Sequence, residues 1–316
     1  MKRSMSFSIH RQIIIGLTSH RVEMLTLLAD FIEKSDLVVL EEAKDESFPK
    51  MLSGEISVEQ YVSDSYLDFP LFAQKFYLLL RDFYSRGKRI IQIEPYYERL
   101  FQIHELFLRG KTPEDIRANE DLKHVYEIES EVSKRLIEYY EASVSKTFGE
   151  IVQAVKDFAK ADAERFRLRD SMRAEGIHRY ISENISTENK IYRIFIEAGG
   201  IHLYLIKCLK EIIPSEYRIE SVSTMELLSR KMNKTYPRAP GDELTLKYLF
   251  GEEIDEEMED LLSARSLIYV SLLSKGEMCP TQENIAPHTL EEIEAINFVN
   301  ALSFNQCKDL FYKIRN

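Results

Sequence analysis

Five short strand-like runs separated by helix-like stretches constrain the fold of this chain more than any other feature. They are QIIIG at 12–16, LVVL at 37–40, RIIQIE at 89–94, IYRIFI at 191–196 and YRIESVS at 217–223. Continuous apolar strands such as IIIG and LVVL are typical of a sheet that is covered on both faces. The order strand, helix, strand, helix, strand in the first hundred residues therefore predicts an α/β fold, with a mainly parallel sheet and helices on both faces.

The middle of the chain loses the strand pattern and predicts a long helical insertion. Residues 129–181 contain no proline and only two glycines, Gly149 and Gly176, and they are rich in helix-forming residues. We expect two or three long helices from about 113 to 183 and closing helices at 262–275 and 289–314, whereas TYPRAPGDEL at 235–244 predicts a loop. The predicted domains are an α/β core, formed by residues 1–110 and 188–316, and a helical insertion or cap at 111–187.

Charge and cysteine content restrict the class of partner and the compartment. The net charge is -11, from 42 basic and 53 acidic residues, which argues against nucleic acid and anionic membranes as partners. No run approaches the roughly 20 apolar residues of a membrane-spanning helix. The three cysteines are far apart in sequence and predict no disulfide framework. We expect a cytoplasmic protein that acts on a small molecule or peptide. The sequence is also compatible with a homo-oligomer.

Histidines, glycines and glutamates follow the predicted strands where each strand ends. They are Gly16 and His20 after the first strand, Glu41 and Glu42 after the second, Glu94 after the third, and Gly199, Gly200 and His202 after the fourth. Because ligands of open α/β sheets bind at the carboxyl ends of the strands, we expect these side chains to converge at one edge. The glycines would permit a tight turn before each histidine, since they lack a Cβ atom.

Two kinds of chemistry suit this set of residues. Two imidazoles and a carboxylate are ligands for Mn, Fe, Co or Zn, and a bound divalent ion supplies hydroxide near neutral pH. A second carboxylate would then act as general base. Without a metal, one histidine paired with one glutamate could activate water directly. Each residue also has an ordinary structural interpretation, as a helix cap, a packed side chain or a polar strand end.

The same motifs resemble those of the TraB/TIKI-like branch of the EreA/ChaN-like superfamily. The resemblance rests on GLTSH at 16–20, GGIH at 199–202, the LEE run with Glu41, IEPYYERL with Glu94, and RLRDSMRAEGI with Arg169. It covers roughly residues 12–100 and 165–223. GLTSH departs from the G-x-x-H form by one extra residue, and Leu17 stands where erythromycin esterases have an acid.

This resemblance implies a metal-dependent hydrolase of peptide or ester bonds on an EreA/ChaN-like α/β fold. It implies a divalent ion (Mn, Co or Zn) held by His20, Glu41 and His202. Glu42 or Glu94 would be the base, and Arg169 would stabilise an anion. ChaN-like members bind haem, but nothing in this sequence points to haem.

The alternative is a non-catalytic protein that keeps the fold and binds a small ligand or a partner. The altered first motif, with Leu17 in place of the acid, favours this alternative.

Overall fold

The computed structural model describes residues 11–63, 68–185 and 192–315. It contains a five-stranded parallel sheet with the strand order β3-β2-β4-β1-β5. The strands are β1 (Arg11–Thr18), β2 (Leu37–Leu40), β3 (Arg89–Gln92), β4 (Arg193–Gly199) and β5 (Tyr217–Ser223). The predicted fold class, an α/β protein with a mainly parallel sheet flanked by helices, is thereby confirmed.

Helices connect the strands and make up most of the remaining described chain. A short 3₁₀ helix (Val22–Met24) precedes α1 (Leu25–Glu33); then come α2 (Ser47–Ser53), α3 (Val58–Ser63), α4 (Pro70–Ser85), α5 (Pro95–Leu108), α6 (Pro113–Arg117), α7 (Glu120–Ser145), α8 (Phe148–Asn184), α9 (Leu203–Ile212), α10 (Thr224–Lys231), α11 (Pro240–Phe250), α12 (Glu256–Leu272), α13 (Pro287–Asn300) and α14 (Phe304–Arg315). Across the described ranges, no helix is long and apolar enough to cross a membrane.

The loop prediction at 235–244 was wrong from Pro240 onward, where α11 begins. A proline at the first helical position favours the start of a helix.

The chain forms two compact units. We call Met1–Glu94 with Arg173–Leu227 the sheet unit, and Pro95–Met172 with Leu228–Asn316 the helical unit. These units differ from the predicted domains, since residues 95–110 and 228–316 group with the helices. The predicted boundary between 187 and 188 lies outside the described residues. Inside the helical unit, Leu267 and Cys307 of the closing helices pack with Ile151 of α8 in one buried cluster. No local sequence pattern predicts this packing.

Both faces of the sheet are covered by helices. On one face, strand residues such as Ile13 and Ile196 pack in a buried cluster with Ile177 of α8 and Leu205 of α9. On the other face, Phe195 stacks on Phe31 of α1, with ring centroids 5.5 Å apart. Full burial of each such side chain stabilises the fold by roughly 1.5–3 kcal/mol, which explains the continuous apolar character of the strands.

The pairings of β1 and of the central strand β4 set the register of the strand ends. β1 pairs in parallel with β4 on one side and with β5 on the other, and Gly16 lies opposite Glu197 of β4. β4 pairs in turn with β2, which pairs with β3. The carboxyl ends of all five strands therefore lie along one edge of the sheet.

Candidate functional site

The carboxyl edge of the sheet brings together five of the histidines and glutamates that were predicted to form a site. His20 follows β1, Glu41 and Glu42 follow β2, Glu94 follows β3, and His202 follows β4. Two further residues belong to this group. Glu197 lies near the end of β4, and Arg173 reaches the group from α8.

His20 forms an ion pair with Glu197. Its Nε2 atom lies 3.0 Å from Glu197 Oε1, and the side chains are 37% and 4% exposed respectively. The imidazole also lies against the Phe72 ring, with centroids 5.5 Å apart. Burial lowers the pKa of His20, but the hydrogen bond to Glu197 and the nearby carboxylates outweigh it, so the pKa is raised above its usual 6.5.

His202 forms the second histidine–glutamate pair, with Glu41. Its Nε2 atom lies 2.9 Å from Glu41 Oε1, and its side chain is only 2% exposed. The backbone amide of Gly199 donates to Glu41 Oε2 at 2.5 Å. The amide of Glu41 donates to Glu197 Oε2 at 3.1 Å, which links the two pairs. The histidines thus differ, because His20 is partly open to solvent and His202 is enclosed.

Glu42 has partners that the sequence did not reveal. The Tyr77 hydroxyl donates to Glu42 Oε1 at 2.9 Å, and Gln92 Nε2 donates to Oε2 at 2.8 Å. The amide of Asp45 donates to Gln92 Oε1 at 2.9 Å and so orients the Gln92 side chain. Burial raises the pKa of Glu42 to about 7, although both hydrogen bonds act to lower it. A carboxyl group with this pKa exchanges protons readily near neutral pH.

Arg173 and Glu94 lie in the interior behind the histidine–glutamate pairs. Both are 0% exposed. Arg173 Nε donates to the Ile93 carbonyl at 3.1 Å, and Nη2 donates to the Glu197 carbonyl at 2.6 Å. Its Nη1 lies 3.4 Å from Glu41 Oε2, and its Nε lies 3.8 Å from Glu94 Oε2. Glu94 is therefore a buried carboxyl group close to the Arg173 guanidinium. Its predicted role as a general base stays a prediction.

Arg169, the arginine indicated by the family resemblance, lies in the helical unit. Its guanidinium carbon is 4.3 Å from the centroid of the Tyr97 ring, and the residue is 8% exposed. The contacts with Glu41 and Glu94 come from Arg173, one helical turn further along α8. The run FRLRDSMR contains both arginines, and the sequence offers no signal that separates them. The predicted role of Arg169 stays a prediction.

The glycines near the two histidines have different structural roles. Gly16 lies inside β1, where an added Cβ atom would approach Phe195 Cε2 to 2.5 Å. Its function is close packing rather than a turn. Neither Gly199 nor Gly200 has a positive φ angle, so both adopt backbone conformations open to other residues. The predicted tight turn before His202 is present, since the His202 amide donates to the Gly199 carbonyl at 3.1 Å, whereas the turn predicted at Gly16 was wrong. The Gly199 amide also donates to Glu41.

The two histidine–glutamate pairs are separate and do not converge on one metal ion. Imidazole and carboxylate are suitable ligands, but each histidine Nε2 atom faces a different glutamate. Within 11–63, 68–185 and 192–315, no three histidine, cysteine, aspartate or glutamate side chains are placed to hold one ion. The side chains as arranged do not fit a shared ion, and the set of His20, Glu41 and His202 stays a prediction.

The fold and this site define a parallel α/β protein with two histidine–glutamate pairs at the carboxyl edge of its sheet. The chain is 32% identical over 296 residues to an uncharacterized protein of Archaeoglobus fulgidus, across 94% of this chain and 96% of that protein. The chain belongs to the same family as this archaeal protein. No family model matches the chain. No solved structure matches it significantly.

Proposed function

We propose that this protein is a hydrolase of peptide or ester bonds in which His20 is the acid–base group. One observation carries the proposal: His20 Nε2 lies 3.0 Å from the enclosed Glu197 carboxylate, while 37% of the His20 side chain is exposed. An accessible imidazole oriented by a buried carboxylate is an arrangement suited to general acid–base catalysis.

The chemistry assigns a role to each nitrogen of His20. With the Nε2 proton donated to Glu197, the neutral ring accepts a proton at Nδ1 from the attacking water. The oxygen of that water forms a bond to the carbonyl carbon. The imidazolium then returns the proton to the leaving oxygen or nitrogen, and the bond between that atom and the carbonyl carbon breaks. The Glu197 carboxylate stabilises the imidazolium between these two steps, since opposite charges at this distance attract strongly in a partly buried site.

Glu42 fits the role of a second proton carrier. Its pKa of about 7 leaves both protonation states populated near neutral pH. The charges of His20 and Glu42 also influence each other, and the carboxylate contributes to the raised pKa of His20. Protonated Glu42 is therefore an alternative donor of the leaving-group proton, in which case the proton taken up by His20 returns to Glu42 after the bond breaks.

The experiment is a screen of p-nitrophenyl esters and fluorogenic peptides with the wild type and a His20→Asn variant. We expect the variant to lose a factor of roughly 100 or more in kcat/KM, the usual contribution of a general base. His104→Asn is the control, because His104 is an exposed histidine on α5 in the helical unit. The proposal fails if the wild type hydrolyses no substrate, or if His20→Asn is as active as the control.

The family resemblance adds a metal-dependent form of the same proposal. Calorimetric titration with Mn²⁺, Co²⁺ and Zn²⁺ would compare the wild type with the double variant His20→Ala, His202→Ala. Tighter binding by the wild type would mean that the histidine–glutamate pairs open to admit an ion. Equal metal binding by the two proteins would indicate a reaction that uses the side chains alone, without an ion at the histidines.

One observation favours the second candidate, a non-catalytic binding protein. Leu17, which stands in place of the acid of the first motif, is 5% exposed and packs in the sheet core, so it adds no polar group to the site. A compound from the screen that shifts the unfolding temperature without being hydrolysed would support this candidate over the hydrolase.

A further inference from the structure

The Arg173 guanidinium lies where three strand ends meet. It bonds the Ile93 carbonyl just after β3 and the Glu197 carbonyl in β4, and it contacts the Glu41 side chain just after β2. We infer that Arg173 is a positioning residue that sets the geometry of both histidine–glutamate pairs. This inference rests on the proposed function for its catalytic meaning, but its structural content can be tested without any substrate.

The first step of the argument is the direct contact with Glu41. Glu41 Oε2 lies 3.4 Å from Arg173 Nη1 and also accepts from the Gly199 amide, which leaves Oε1 for His202. The cation and the amide thus determine which oxygen of Glu41 meets the imidazole.

The second step concerns His20, which Arg173 reaches only through the backbone. Arg173 Nη2 donates to the Glu197 carbonyl at 2.6 Å, and the side chain of the same Glu197 holds His20 Nε2 at 3.0 Å. Fixing the Glu197 backbone limits the positions that its carboxylate can adopt. One guanidinium therefore acts on the two pairs by two different routes.

The third step excludes direct action on a substrate. Arg173 is 0% exposed, and its nitrogens point to protein oxygens on three chain segments. Glu94, also 0% exposed, lies 3.8 Å from Nε as a further anion. A lysine could balance the charge but could not reach these acceptors together, because an ammonium lacks the planar fork of a guanidinium.

The experiment records long-range ¹H–¹⁵N NMR spectra of the histidine rings in the full-length protein without substrate. The variants are Arg173→Met, which removes the charge, and Arg173→Lys, which keeps it. Arg179→Met is the control, since Arg179 is an exposed arginine on the same helix. We expect the ring nitrogen signals of His202 to shift in both Arg173 variants, those of His20 to shift less, and neither to shift in the control.

Several results would overturn the inference. It fails if a folded Arg173→Lys or Arg173→Met variant keeps the His202 signals of the wild type. It also fails if neither variant folds, because Arg173 would then support the sheet unit as a whole rather than the site. Since these spectra involve no turnover, shifted signals in a protein without hydrolase activity would uphold the positioning role and refute only the proposed function.

Discussion

Replacing Glu42 with glutamine should make the protein more stable at alkaline pH and leave its stability almost unchanged at pH 4.5. Burial raises the pKa of Glu42 from 4.5 to about 7. A carboxyl group with a raised folded-state pKa costs no stability below pH 4.5. The cost grows between pH 4.5 and 7 and stays constant above pH 7. This shift corresponds to about 3 kcal/mol, or about 2 kcal/mol after allowance for the partial exposure of Glu42.

Glutamine keeps the shape of the side chain and both hydrogen-bond partners. Its carbonyl can accept from Gln92 Nε2, and its amide can donate to the Tyr77 hydroxyl oxygen, which is able to accept as well as donate. The assay is thermal unfolding of Glu42→Gln and wild type at pH 4.5 and pH 8. We expect a gain on the order of 5 °C at pH 8 and little at pH 4.5. The exposed Glu46→Gln is the control. An equal gain at both pH values would refute the reasoning.

Two further predictions follow from contacts in the sheet unit. Gly16→Ala should lower the free energy of unfolding by roughly 1–3 kcal/mol, because the new Cβ atom would meet the buried Phe195 ring at 2.5 Å. Urea unfolding measures this loss. The reasoning is wrong if Gly16→Ala is as stable as the wild type, or if adding Phe195→Leu recovers none of the lost free energy. Tyr77→Phe should raise the pKa of Glu42 further, because the substitution removes a hydrogen bond that lowers this pKa. A carboxyl ¹³C NMR titration measures the change, and an unchanged or lower pKa of Glu42 would contradict the proposed hydrogen bond between Tyr77 and Glu42.

Much of the sheet could be predicted from the sequence because its strands are short apolar runs with clear ends. The predicted limits 37–40 and 217–223 match β2 and β5. β4 differs, since it runs from Arg193 to Gly199 and includes two small residues that form strands poorly. Those residues pair with Leu17 and Thr18 of β1, so tertiary pairing extends the strand beyond its local preference.

The edge at which the site forms could also be predicted, but the pairing inside it could not. His20 and Glu41 were expected to share an ion, yet β4 lies between β1 and β2 and brings Glu197 next to His20. Strand order decides this pairing, and it is not encoded in any local run of residues. Tyr77 and Gln92 were missed for the same reason, since they lie far from Glu42 in sequence.

The same limit applies to the arginine. Arg169 and Arg173 stand one turn apart in a helix that is charged throughout, and only the structure separates their contacts. A motif identifies a stretch of helix, whereas the fold determines which of its side chains reaches the buried carboxylates.

The most direct test of the central claim is an NMR titration of the His20 ring in the wild type and in Glu197→Gln. The paired arrangement predicts a His20 pKa above 6.5 in the wild type, because the hydrogen bond and charge of Glu197 outweigh the effect of burial. It also predicts a clearly lower pKa in Glu197→Gln, where burial remains and that charge is gone. A wild-type pKa at or below 6.5, or one that Glu197→Gln leaves unchanged, would contradict an acid–base site built on this pair.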